Sequence, residues 1–241
     1  MLRIVVAGVL LSIGLPAKSG AQFADLRGRI VFDGDPPAPD EHGPALTINP
    51  GNGGVADVLV YVRKTTVVDP ERTAIPPEPA ILTVKNDRFL PAVMVIRCGQ
   101  QVVLRSEDQF PHSLRTWSVA NEGAICTVAG RDLTGIKIPI DKVNAKPEPL
   151  PVRIDCILRG QMEGYWLIVD HPYAAVTDSD GRFLIPGLPV GQQTLTVWHS
   201  TTGYIHKGWK VEVGANGPAL ARLKVIDRHP GRGVRPAPAA E

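Results

Sequence analysis

The sequence is short of several things at once, and each shortage removes a class of protein. Three cysteines in 241 residues are too few for a dense disulfide scaffold. No stretch carries a sustained 3.6-residue apolar stripe, so long amphipathic helices are not expected. An excess of one charge is lacking as well: 26 basic residues face 24 acidic ones, and Arg3 and Lys18 account for the whole difference. That balance leaves no electrostatic footprint for nucleic acid or an anionic surface. After the first 21 residues no apolar run approaches the roughly 20 residues that cross a bilayer. There is no Gly-x-Ser-x-Gly elbow, no phosphate-binding glycine loop and no recognisable Ser-His-Asp context, so no enzyme is expected.

What is present is backbone punctuation and β-branched residues. The chain holds 24 glycines and 23 prolines, and valine is its commonest residue. Many short strands joined by turns follow from that composition, giving an all-β class. The start reads as an export signal: a positive Arg3, a short apolar run over 4–17, and Ser19-Gly20-Ala21 as the small residues before a cut near Ala21–Gln22. A signal peptide over 1–21 makes the mature chain periplasmic or secreted, with no transmembrane anchor after processing. Cys98, Cys126 and Cys156 then sit in an oxidising compartment. Their odd number leaves one thiol over unless another chain or a metal takes it, and no pairing is favoured.

Strand candidates run along nearly the whole chain. The stretch 26–34 is followed by a proline-rich loop over 36–53. In 55–64, Val58, Val60 and Val62 share one face while Leu59 and Tyr61 share the other. Both faces are apolar, as in a central sandwich strand. Residues 69–79 hold Pro70, Pro76, Pro77 and Pro79 and read as a crossing between domains. Strands are expected over 80–84, 92–97 and 101–105, with Gly99-Gln100 as the turn between the last two. The segment 119–151 reads as loop, and 152–156 and 164–169 as strands flanking an irregular turn that contains Arg159-Gly160. Further strands are expected around Phe183, over 195–198, 209–213 and 221–226, and 227–241 as a disordered tail.

Two groups of motifs resemble known families. Thr177-Asp-Ser-Asp-Gly-Arg-Phe183, then Ile185-Pro-Gly-Leu-Pro-Val-Gly191 and Leu195-Thr-Val-Trp198, resemble the carboxypeptidase regulatory-like domain, a small immunoglobulin-like β-sandwich. Its earlier strands are matched by 28–34 and 54–61, with roughly a hundred residues between these and the motif. Within that interval, Gly99-Gln100, the step Ser106-Glu-Asp108, His112-Ser113 and Cys156-Ile-Leu-Arg-Gly-Gln-Met162 are similar to cupredoxins. The two likenesses together cover about 25–226.

The resemblance implies a cupredoxin-like Greek-key β-sandwich over 78–170, combined with a carboxypeptidase regulatory-like sandwich built from 25–64 and 171–226. Insertion of one in the other and a linear tandem are both open, and they differ in the partners of the strand over 55–64. The family's copper loop also implies donors at His112, Cys156 and Met162. The fourth position, three residues after Cys156, is Arg159, which has no lone pair to give and repels a cation; beside His112, Ser113 replaces an asparagine. The expectation is therefore a degenerate copper site, no bound cofactor, and an exported non-catalytic binding or structural protein. One alternative is a periplasmic copper electron carrier with a non-standard ligand set, borrowing His171, His199 or Cys126. The other is an accessory module for the cell envelope or carbohydrate. A protein or cell-envelope partner stays unspecified.

Overall fold

The computed structural model describes residues 22–33 and 46–214, with the backbone of 219–225 and 234–236. The expected signal peptide, 1–21, lies outside the described residues. The chain opens with β1 (Phe23–Phe32), β2 (Leu46–Ile48) and β3 (Leu59–Val62). Then come β4 (Ala80–Lys85), β5 (Arg88–Leu90), β6 (Val93–Arg97), β7 (Val102–Ser106), β8 (His112–Trp117) and β9 (Ile125–Val128). After β10 (Ile136–Ile138), the short helix α1 (Ile140–Val143), β11 (Val152–Cys156) and β12 (Arg159–Val169), the chain continues through β13 (Ala174–Val176) and β14 (Arg182–Pro189). It closes with β15 (Gly191–His199), β16 (Gly203–Val213), β17 (Ala219–Val225) and β18 (Val234–Pro236). The all-β class is the class the chain forms.

Four main sheets make two sandwiches. The sheets β14-β1-β17 and β13-β3-β15-β16 face one another, and so do β10-β7-β4-β5 and β6-β12-β11-β8-β9, the latter pair a Greek-key arrangement. The strand over 55–64 finds its partners within the first sandwich. Its central part, β3, pairs antiparallel with β15 (Val62 opposite Leu195, Leu59 opposite Trp198) and with β13 (Tyr61 opposite Ala174). It pairs with neither β4 nor β11. The polypeptide leaves the first sandwich after β3, builds the second from β4 to β12, and returns at β13.

The two apolar faces of β3 have a physical explanation in this stacking. Val60 and Val62 enter the first core with Leu26, Ile30, Phe183 and Leu195. Leu59 and Tyr61 enter a separate cluster with Val93, Leu167, Val169 and Trp198. β12 divides the same way, sending Trp166 and Ile168 into the second core and Leu167 and Val169 into the shared layer. A strand with side chains alternating between two dry layers must be apolar throughout.

The turn at Asp180-Gly181 joins β1 to the loop before β3. Gly181 has φ +72°, and a Cβ there would lie 2.1 Å from the Ile30 carbonyl oxygen, so only glycine fits. The Asp180 carboxylate accepts from Asn49 (2.9 Å) and Asn52 (2.7 Å) and pairs with Arg182 (2.8 Å). Asp57 takes a left-handed φ of 57°, so the strand expected over 55–64 begins late, at Leu59. The gap is bridged by the buried Thr177 hydroxyl, which donates to the Val55 carbonyl (2.7 Å) and accepts from the Val58 N–H (2.9 Å).

Several expectations need correction. The segment 119–151, read as loop, contains β9, β10 and α1; these pieces are too short to show periodicity and form because β8 and β7 offer them open edges. Arg159 and Gly160 belong to β12 rather than to a turn. Within 227–241, expected to be a disordered tail, β18 runs parallel to β2. That strand ends in Pro236, as suits an edge position where a donor is dispensable.

Thr177→Val keeps the shape and removes the hydroxyl, leaving the Val55 carbonyl and Val58 N–H without their partner. Urea unfolding of this variant is expected to show a loss of about 1–3 kcal/mol per orphaned group. An unchanged midpoint would mean that water replaces the hydroxyl.

Candidate metal centre

The residues singled out by the copper-loop resemblance lie at one end of the second sandwich. β8 begins with His112 and β11 ends with Cys156, antiparallel neighbours with Leu114 opposite Cys156. Both side chains are almost fully buried. Cys156 Sγ lies 3.8 Å from His112 Nδ1. Met162 is buried in the same core as Cys156. Its place follows from a break in register: Asp155 faces Glu163 but Cys156 faces Arg159, so residues 160–162 bulge from the ladder.

Arg159 makes an ion pair instead of meeting the buried sulfurs. Its Nε lies 3.3 Å from Asp87 Oδ1, and its guanidinium sits 5.9 Å from the centre of the exposed Phe110 ring. Ser113 likewise turns aside, its hydroxyl bonding Thr127 Oγ1 at 3.0 Å. Its carbonyl accepts from the Ile157 N–H at 2.9 Å, which fixes the start of the turn after Cys156.

The opposite nitrogen of the imidazole faces carboxylates. His112 Nε2 is 3.1 Å from Asp108 Oδ2, close enough for charge attraction but without an aligned hydrogen bond. Asp108 is itself anchored, accepting from the backbone N–H of Asn86 (2.6 Å) and Asp87 (3.0 Å). Asn86 and Asp87 have φ of 52° and 54°, the left-handed pair that closes a two-residue hairpin. Burial alone would raise the Asp108 carboxyl; the N–H groups of Asp87 and Asn86 and the nearby His112 outweigh it and hold the group below its ordinary value.

The donors at hand fit part of a type 1 copper set. Bond lengths of about 2.3 Å to sulfur and about 2.0 Å to nitrogen, set at a trigonal angle, separate the two ligand atoms by roughly 3.8 Å. Cys156 and His112 stand at that separation. A second equatorial imidazole is the part that does not fit, because Arg159 holds its position and is committed to Asp87.

Neither His171 nor His199 supplies it. His171 lies past the far end of β12, which at about 3.3 Å per residue is roughly 30 Å along the strand from Arg159. His199 ends β15 in the first sandwich. Each Nδ1 accepts from a backbone N–H two residues on, of Tyr173 and Thr201 respectively (both 3.2 Å). Cys126 faces Leu114, whose other neighbour is Cys156, so two strand spacings of about 4.8 Å hold these sulfurs too far apart for a bridge. All three cysteines are free thiols.

Beside the site, on the outer face, Arg115 donates twice to Asp155 (3.0 and 2.9 Å) and Trp117 Nε1 once (2.9 Å). The Arg115 hydrogen bonds hold Asp155 below its ordinary carboxylate value against the opposing effect of burial. Sequence reasoning missed Asp87. The Asn86-Asp87 dipeptide is a hairpin signal, but nothing local places it beside His112.

No family model and no curated protein matches the chain. Solved structures are similar to part of it. The Cu-containing nitrite reductase from Thermus scotoductus SA-01 is 20% identical over 43% of this chain and 27% of its own, with a TM-score of 0.32. Amicyanin from Paracoccus versutus is 14% identical over 45% of this chain and 96% of its own, with a TM-score of 0.26. A reduced amicyanin mutant is 10% identical over 45% of this chain and 97% of its own, also with a TM-score of 0.26. The chain thus spans about a quarter of the nitrite reductase and nearly all of amicyanin. In each case the likeness covers less than half of this chain.

The buried histidines make stability depend on pH. Burial pushes His199 down to about 4, and burial likewise lowers His171. Between an unfolded value near 6.5 and about 4 the unfolded chain binds more protons, so stability falls as pH drops through that window. Thermal melts are expected to show this slope, with His199→Asn flattening it. An unaltered slope in His199→Asn and His171→Asn alike would contradict the assignment.

Proposed function

We propose that this chain is an exported, non-catalytic binding or structural protein in which a cupredoxin-like sandwich has lost one imidazole of its copper set. The first sandwich, with its Thr177-Asp-Ser-Asp-Gly-Arg-Phe183 turn, is read as a carboxypeptidase regulatory-like module. The observation that carries the proposal is the Arg159–Asp87 ion pair at 3.3 Å: the residue in the second-histidine position is a cation tied to a carboxylate, not a donor to a metal. A trigonal His₂Cys plane tolerates a changed axial ligand far better than a lost equatorial one.

A second reading, a copper electron carrier with an unusual ligand set, draws support from the 3.8 Å spacing of Cys156 Sγ and His112 Nδ1. The pair would contribute one thiolate and one imidazole, and Met162 a weak thioether; a bound copper ion would supply one-electron chemistry.

Visible spectroscopy separates the two readings. The purified mature protein given Cu²⁺ without reductant is expected to stay colourless, and Arg159→His is expected to gain an intense thiolate-to-copper band. Such a band in the wild-type protein would overturn the first reading and establish the second.

A further inference from the structure

We propose that Asp87, Asp108 and His112 form a divalent-cation site, using the imidazole nitrogen that faces away from Cys156. One ligand atom from each of these side chains lies within 4.8 Å of the others, so an ion with bonds of about 2.0–2.2 Å would join them once the exposed Asp87 side chain swings inward by roughly an ångström. The set is two carboxylates and one imidazole, a hard donor group that suits Zn²⁺ or Mn²⁺ and has no thiolate to select Cu(I).

The burial of the histidine adds to the carboxylates. His112 is 1% exposed, and its Nε2 is buried with no aligned hydrogen bond. This nitrogen is aimed at the carboxylates, 3.1 Å from Asp108 Oδ2, and a cation between them would take both as ligands. Access grades outward across the three groups: the His112 side chain is 1% exposed, Asp108 15% and Asp87 50%. An ion can therefore arrive from solvent over Asp87 and meet its innermost ligand last.

The carboxylates are held in advance. The hairpin N–H groups of Asn86 and Asp87 both donate to Asp108, which locks the backbone of Asp87 to the residue it would share the ion with. Arg159 is the resident competitor, a guanidinium 3.3 Å from Asp87 Oδ1. Half-exposed pairs of this kind are weak, and the released side chain can remain over the Phe110 ring. The site does not rest on the copper reading, since it uses Nε2 where the copper set uses Nδ1.

Calorimetric titration of tag-free mature protein with Zn²⁺ tests the assignment. Wild-type protein is expected to bind one tight equivalent; Asp87→Asn is expected to weaken it at least tenfold, and Arg159→Ala to strengthen it severalfold. Cys156→Ser is expected to leave it within twofold. Substituting Co²⁺ in the wild-type protein gives a readout that needs no variant: no intense thiolate-to-metal absorption is expected. Absence of zinc binding, full retention in Asp87→Asn, loss in Cys156→Ser, or a thiolate band with Co²⁺ would each overturn the proposal.

Discussion

The pairing of β3 with β15 is the constraint on which the rest of the molecule depends. It joins segments separated by the whole of the second sandwich, so the first sandwich cannot close until the chain has returned at β13. Long-range strand pairing of this kind carries a large loop-closure cost, here divided because the intervening residues bury a core of their own. β3 also supplies Leu59 and Tyr61 to the layer against β6 and β12, which fixes the two sandwiches face to face. The Thr177 hydroxyl, bonded on both sides of the left-handed Asp57, lets the backbone turn into that strand without an orphaned polar group.

At the outer end of the second sandwich the central fact is how one imidazole is shared. His112 presents Nδ1 to Cys156 and Nε2 to Asp108. An ionised carboxylate accepts only, which favours the proton on Nε2 and leaves the Nδ1 lone pair toward the thiol. A carboxylate behind a histidine is the usual way of fixing a ligand's tautomer. The ring is thus oriented from both sides, while Arg159 is held by Asp87.

The sequence made the strand-rich class, the turn at Asp180-Gly181 and the double-faced burial of β3 legible, because each has a local pattern. His112, Cys156 and Met162 were singled out by the copper-loop resemblance, and Arg159 by its place in that same loop together with its inability to give a lone pair. β9 and β10 were not legible: pieces of four and three residues carry no period, and only the edges of β8 and β7 make them strands. Asp87 was hidden for another reason. It reaches the site because the hairpin N–H groups bind a carboxylate more than twenty residues away, a tertiary event with no signature in the dipeptide itself.

The most direct test of the shared imidazole is a long-range ¹H–¹⁵N correlation spectrum of the metal-free protein, with His112 assigned by comparison with His112→Gln. A proton on Nε2, with the free lone pair on Nδ1, is the predicted result. A proton on Nδ1, directed at the Cys156 sulfur, would contradict the account.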